Sequence, residues 1–144
     1  MSDAPDLSKA AEEAARAEDA ARPIEAAENP NPRIDYLVRL EGETTGARDH
    51  GGPARVVLSY VPDKRIVRQA AFRDYLAGLT GIEAGANLPE RLALRILGDF
   101  NDELVPRWVQ VVVATPGDAG HRVLVEDRQP KWDNRVLLAR AAGL

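Results

Sequence analysis

From Ile34 the chain alternates with period two, Tyr36, Val38 and Leu40 on one side and Leu37, Arg39 and Glu41 on the other. This is the pattern of a half-buried strand. Residues 44–53 carry Gly46, Gly51 and Gly52 and read as a loop. A second strand is expected over 55–61, with Val56, Leu58 and Tyr60 on one face, and Pro62-Asp63-Lys64 turns it. The period then changes. Over 68–79, Phe72, Tyr75, Leu76 and Leu79 form one helical stripe that ends near Gly78 or Gly81. A second helix begins around Asn87-Leu88-Pro89-Glu90, where Asn87 is placed to cap, Pro89 suits the first turn and Glu90 stands at capping-box spacing. Its apolar set is Leu92, Ala93, Ile96, Leu97, Phe100 and Leu104. Valine-rich residues 108–115, a Pro-Gly turn over 116–120 and residues 122–126 complete a hairpin. The order ββααββ predicts an α+β fold, a four-stranded antiparallel sheet with both helices on one face. Such a sheet has two unpaired edges, which proteins cover, charge or pair, so an oligomer or hetero-complex is expected.

The flanks have a different character. Residues 3–22 alternate alanine clusters with charge, so helix propensity is high but little is available to pack. This stretch reads as a solvated leader or as a segment that a partner orders. Asn29-Pro30-Asn31-Pro32 breaks any helix there. After Pro130, Leu137, Leu138, Ala141 and Leu144 are spaced as one helical face beside Lys131, Arg135 and Arg140. This tail is expected to dock on its own domain or on a partner. The chain thus divides into an acidic extension (1–28), a central domain (29–127) and a basic amphipathic tail (128–144). The net charge of −4 resolves into −5, −2 and +3 for these segments. With 144 residues there is room for one domain. No basic stripe suited to phosphates is present, which argues against nucleic acid. No apolar run reaches the length of a membrane span, and neither a signal-peptide core nor an Arg-rich transit segment opens the chain. A cytoplasmic location is the expectation. Cysteine is absent altogether, which removes disulfides, thiolate metal sites and cysteine nucleophiles.

Several motifs stand together: Asn29-Pro30-Asn31-Pro32 with Asp35-Tyr36-Leu37-Val38-Arg39-Leu40, Ser59-Tyr60-Val61-Pro62-Asp63-Lys64, Tyr75-Leu76, Glu90 opening a helix, and Pro106-Arg107-Trp108-Val109. In these the sequence resembles the 7-cyano-7-deazaguanine (queuosine-pathway) nitrile reductases of the QueF type, in the tunnelling-fold (T-fold) superfamily. The resemblance covers roughly residues 29–120. It implies a ββααββ unit, oligomeric barrels, and purine or pterin ligands bound where subunits meet. It also implies a cysteine that attacks the nitrile carbon while NADPH delivers hydride. The loop that would carry that cysteine reads Gly46-Ala47-Arg48-Asp49-His50. The family's proton-donor aspartate would follow Pro53, where Ala54 stands. Its cofactor run aligns with Arg68-Gln69-Ala70-Ala71-Phe72-Arg73, without the family's Glu, Lys and Ser side chains. Its His-Glu pair appears as Pro89-Glu90, and its Arg-Gly-Gly as Asp118-Ala119-Gly120.

Simultaneous loss of nucleophile, donor, cofactor run and histidine predicts a chain with no catalytic residues, no cofactor and no metal. That chain would serve as a structural or accessory subunit of a larger protein assembly, reached through its tails and sheet edges, with homo-oligomerisation as another form of the same expectation. The alternative is an NADPH-dependent reductase of queuosine biosynthesis with a relocated mechanism. A further alternative is a purine- or pterin-type binder through Glu90, the retained ligand position, whose bland reading is a capping-box contact to Asn87. His50 and His121 stand isolated and read as surface residues. Asp49-His50 lacks a neighbouring nucleophile to serve as an acid–base pair. Trp108 and Trp132 read as core and tail-docking residues.

Overall fold

A computed structural model of the chain describes residues 24–46, 51–79, 88–115 and 120–144. The elements in chain order are β1 (Ala26–Glu28), β2 (Val38–Glu43), β3 (Arg55–Val61), β4 (Arg65–Val67), α1 (Gln69–Gly78), α2 (Pro89–Leu104), β5 (Trp108–Ala114), β6 (Arg122–Arg128) and the single turn α3 (Arg135–Leu138), followed by a 3-10 turn over Ala141–Gly143. The main sheet is antiparallel throughout, in the order β2-β3-β5-β6. This is the α+β arrangement that the ββααββ pattern predicts, a four-stranded antiparallel sheet.

Alternation assigns the two faces. Leu40, Val56, Leu58, Tyr60, Val109, Val111 and Val113 point to the helices and join one buried cluster with Phe72, Leu76, Leu92, Ile96 and Phe100. Burying a side chain of this size contributes roughly 1.5–3 kcal/mol, so this face carries most of the stabilisation. The helices meet at an aromatic trio, with Phe72 5.7 Å and Tyr75 5.0 Å from the Phe100 ring centre, Tyr75 edge-on. The Tyr75 hydroxyl donates to the Asp99 carboxylate, which also accepts from Arg95 Nε at 2.8 Å. Gly42 lies on the helix face of β2, where a Cβ would stand 2.8 Å from Leu76 Cδ1. A larger residue here would make the Leu76 side chain shift.

Four features depart from the pattern read along the chain. First, Ile24 is buried in the core, and Ala26–Glu28 pairs antiparallel with Arg65–Val67 as a two-stranded sheet. Composition places residues 24–28 in the leader, because a three-residue strand is too short to show alternation. Second, the N-cap of α2 is Leu88 and not Asn87, which lies outside the described residues. Pro89 takes the first helical position and holds the residue before it out of helical geometry. Glu90 therefore sits one position too early for the capping box. Third, β6 runs two residues past Glu126, its last residues pairing with Trp108 and Val109. Fourth, the tail forms only one helical turn with no buried residue, followed by the 3-10 turn. It lies against the sheet face opposite the helices, where Ala141 and Ala142 pack and the Leu144 carbonyl accepts from Arg39 Nη1 at 2.8 Å. The tail thus docks on its own domain.

Candidate functional site

The residues that carry the reductase resemblance are far apart in sequence, and the fold collects several of them at one end of the sheet. Asn29 is buried. Its Nδ2 donates to the Asp63 carbonyl at 2.6 Å, and its Oδ1 accepts from the Tyr36 hydroxyl at 2.6 Å and the Asn31 N–H at 3.0 Å. Arg107 reaches Asp35 Oδ1 at 3.0 Å, Asp63 Oδ1 at 3.2 Å and the Pro32 carbonyl. Trp132 Nε1 and Asn134 Nδ2, from the tail, both donate to Asp35 Oδ2, at 3.0 and 3.1 Å. Gln129 Nε2 bonds Asp63 Oδ2 at 3.0 Å. Burial pushes the Asp35 carboxyl up, but the hydrogen bonds from Asn134 and Trp132 together with the Arg107 guanidinium outweigh it and hold the group below its usual value. Tyr36 is shifted up by burial, against the charge of Arg107. Every polar group here is committed to another part of the fold. The cluster is a brace that joins the 29–36 segment, the β3–β4 turn, the entry to β5 and the tail.

Glu90 lies elsewhere, at the second position of α2, with its side chain 55 % exposed and Oε2 3.5 Å from His121 Nε2 at the start of β6. His121, isolated in the sequence, is thus brought beside the glutamate at which the resemblance implies a ligand contact. The two residues are 31 positions apart, and only the α2–β6 packing joins them. Gly120, just before it, has a φ of +110°, a conformation open to glycine and strained for any other residue.

Ala47, Arg48, Asp49 and His50, and with them the position aligned with the catalytic cysteine and the Asp49-His50 pair, lie outside the described residues, as do Asp118 and Ala119. Ala54, at the proton-donor position, is fully buried in the core, with its N–H donating to Thr44 Oγ1 at 2.9 Å. Its methyl group has no proton to give. The segment aligned with the cofactor run is partly spent on structure: Gln69 Nε2 is held by the Glu41 carbonyl at 2.7 Å, and Phe72 is buried against Phe100. With alanines at 70 and 71, this helix start carries no hydroxyls, and its cationic side chains are the exposed Arg68, the N-cap of α1, and Arg73. Trp108 is 2 % exposed, with Nε1 on Glu126 Oε2 at 2.7 Å, and Trp132 ties the tail down. Among the described residues, no three His, Cys, Asp or Glu side chains are grouped to hold a metal ion, and no helix is long and apolar enough to cross a membrane.

No family model matches the chain. Two curated relatives, both named NADPH-dependent 7-cyano-7-deazaguanine reductase, from two strains of Acidithiobacillus ferrooxidans, are 28% identical over 128 residues, covering 83% of this chain and 86% of theirs. A solved structure, archaeosine synthase QueF-Like in the apo form, aligns with a TM-score of 0.48 at 21% identity, over 66% of this chain and 94% of that one. Over most of its length, then, the chain is homologous to the QueF-type 7-cyano-7-deazaguanine reductases.

Proposed function

We propose that this chain is a non-catalytic homologue of those reductases that serves as a structural or accessory subunit of a larger protein assembly. The observation that carries this reading is the complete absence of cysteine in a chain that matches 86% of a reductase's length. In the family, as the resemblance implies, a cysteine thiolate must bond to the nitrile carbon before hydride is delivered, and no serine or histidine supplies an equally activated nucleophile without a partnering base. The buried Ala54 supports the same reading, since proton transfer has no side chain at its family position. What is kept is the brace around Asp35, Asp63 and Arg107, which serves the scaffold.

A second reading has its own observation. Glu90 remains exposed at the head of α2 beside His121, so a purine- or pterin-type molecule with adjacent N–H donors has a carboxylate to meet. Both readings are tested by incubating the pure chain with the nitrile and NADPH, following NADPH absorbance and nitrile binding, and purifying the tagged chain from its native source. The expected result is no NADPH oxidation and recovery of a stoichiometric protein partner. Steady turnover of the nitrile overturns the non-catalytic reading. Recovery of a free monomer overturns the assembly role.

A further inference from the structure

The face of the main sheet turned away from the helices is layered by chemistry. Pairing places its side chains in rows across the four strands: Arg39, Ser59, Gln110 and Glu126; then Glu41, Val57, Val112 and Leu124; then Glu43, Arg55, Ala114 and Arg122. Successive rows are two residues apart, about 7 Å along each strand. A polar row is thus followed by one that is apolar apart from Glu41 at its edge, and then by one with two arginines. The tail's Ala141 and Ala142 lie over this face and help enclose a cavity of about 330 Å³, within the range of small-molecule sites.

The polar groups inside are not used up by the fold. Ser59 is only 5 % exposed, yet its hydroxyl has no hydrogen-bond partner among the described residues, and neither has the Gln110 carboxamide beside it. Among the described residues, no polar side-chain atom is both sealed from solvent and unpaired, so the Ser59 hydroxyl, which lines the cavity, opens into it. Three arginines line the space against one glutamate. Glu41 is engaged by Arg39 at 3.1 Å and by Arg55 at 3.5 Å, which leaves the Arg122 guanidinium without a partner among the described residues. The Ser59 hydroxyl and the exposed Arg122 guanidinium, on either side of an apolar floor, are open to solvent and free to pair with a ligand.

We infer that this cavity binds an elongated organic monoanion. Its carboxylate pairs with Arg122 and Arg55, its flat apolar body lies on Val57 and Val112, and its polar head hydrogen-bonds Ser59 and Gln110. The site lies on a different face from Glu90 and needs neither turnover nor assembly, so its test stands apart from theirs.

The probe is 4-acetamidobenzoate, with its uncharged methyl ester as control, titrated into the full chain by calorimetry and by amide chemical shifts. Saturable binding is expected, with shifts at Ser59 and Gln110. About tenfold weaker binding is expected for the ester and for the acid on Arg122→Ala, because each removes one charge-assisted pair. Ser59→Ala should weaken the acid several-fold. Arg122 is exposed, so its variant should keep the wild-type circular dichroism. Absence of saturable binding, equal affinity for acid and ester, an unchanged Arg122→Ala affinity, or shifts confined to Glu90 and His121 would each overturn the assignment.

Discussion

Tyr60 is a single side chain that fastens two strands, and its ionisation reports on that role. Its hydroxyl accepts from the Val67 N–H at 2.9 Å and donates to the Val67 carbonyl at 3.4 Å, tying β3 to the short β4 inside the core. Burial, with a small contribution from Tyr36 and against the Val67 hydrogen bond, pushes the phenol up to about 12. An unfolded tyrosine titrates near 10. The folded value is the higher one, so the stabilisation is fully present below pH of about 10 and is lost as pH rises through the folded value. Tyr60→Phe should lower stability at pH of about 8 by roughly 1–3 kcal/mol, because the Val67 N–H and carbonyl lose their partner in a buried place. The same substitution should flatten the decline above pH of about 10. Denaturant midpoints of both proteins across that range check this, and parallel alkaline limbs would count against it.

At the scale of elements, the C-terminus of α2 is held in a form that its sequence does not favour. Val105 caps the helix with φ 43° and ψ 56°, the left-handed region, with its N–H on the Asn101 carbonyl at 3.0 Å. A β-branched residue is unfavourable there, where glycine is the usual choice. Val105 is also largely exposed, so little burial is lost when its side chain is removed. The Gln129 Nε2 bond to the Val105 carbonyl and the bonds of Arg107 to Asp35 and Asp63 fix the backbone that follows. Val105→Gly should therefore stabilise the protein by about 1 kcal/mol, which is the relief of left-handed strain less the added chain entropy of glycine. Thermal unfolding reads the change directly, and a lowered midpoint would show that the valine side chain has a packing role at this turn.

For the whole molecule, Asp35 is where the tail and the domain are joined. The sequence places residues 128–144 outside the domain, and one carboxylate, taking Arg107 on one oxygen and Trp132 and Asn134 on the other, makes them part of it. Its folded value is depressed, so its contribution is present above the unfolded value of about 3.9 and is lost as pH falls through the folded one. Asp35→Asn should cost about 1–2 kcal/mol at neutral pH through the loss of charge-assisted bonds, speed amide exchange over residues 132–138, and weaken the acid dependence below pH of about 4. Unchanged exchange in the tail would mean that the contacts of Ala141, Ala142 and Leu144 hold it by themselves.

The six principal strands and helices were legible in the sequence because each is long enough for its period to show, and the interior follows from those periods. Val56, Leu58 and Tyr60 face the same side as Val109, Val111 and Val113 because alternation within a strand is geometric. The missing cysteine and the altered positions at 54, 68–73 and 89 were equally legible, since chemistry of that kind depends on residue type. Contacts between remote segments were not legible. The burial of Ile24, the pairing of Ala26–Glu28 with Arg65–Val67, the meeting of Glu90 with His121 and the joining of Trp132 to Asp35 depend on which segments the folded chain brings side by side. No local pattern encodes that. The sequence by itself determined the elements, the buried face and the absence of any cysteine. The tertiary structure alone decided that the basic tail closes the domain's second face, because the tail buries too little apolar surface to announce a docking site and is held by hydrogen bonds whose partners lie about a hundred residues away.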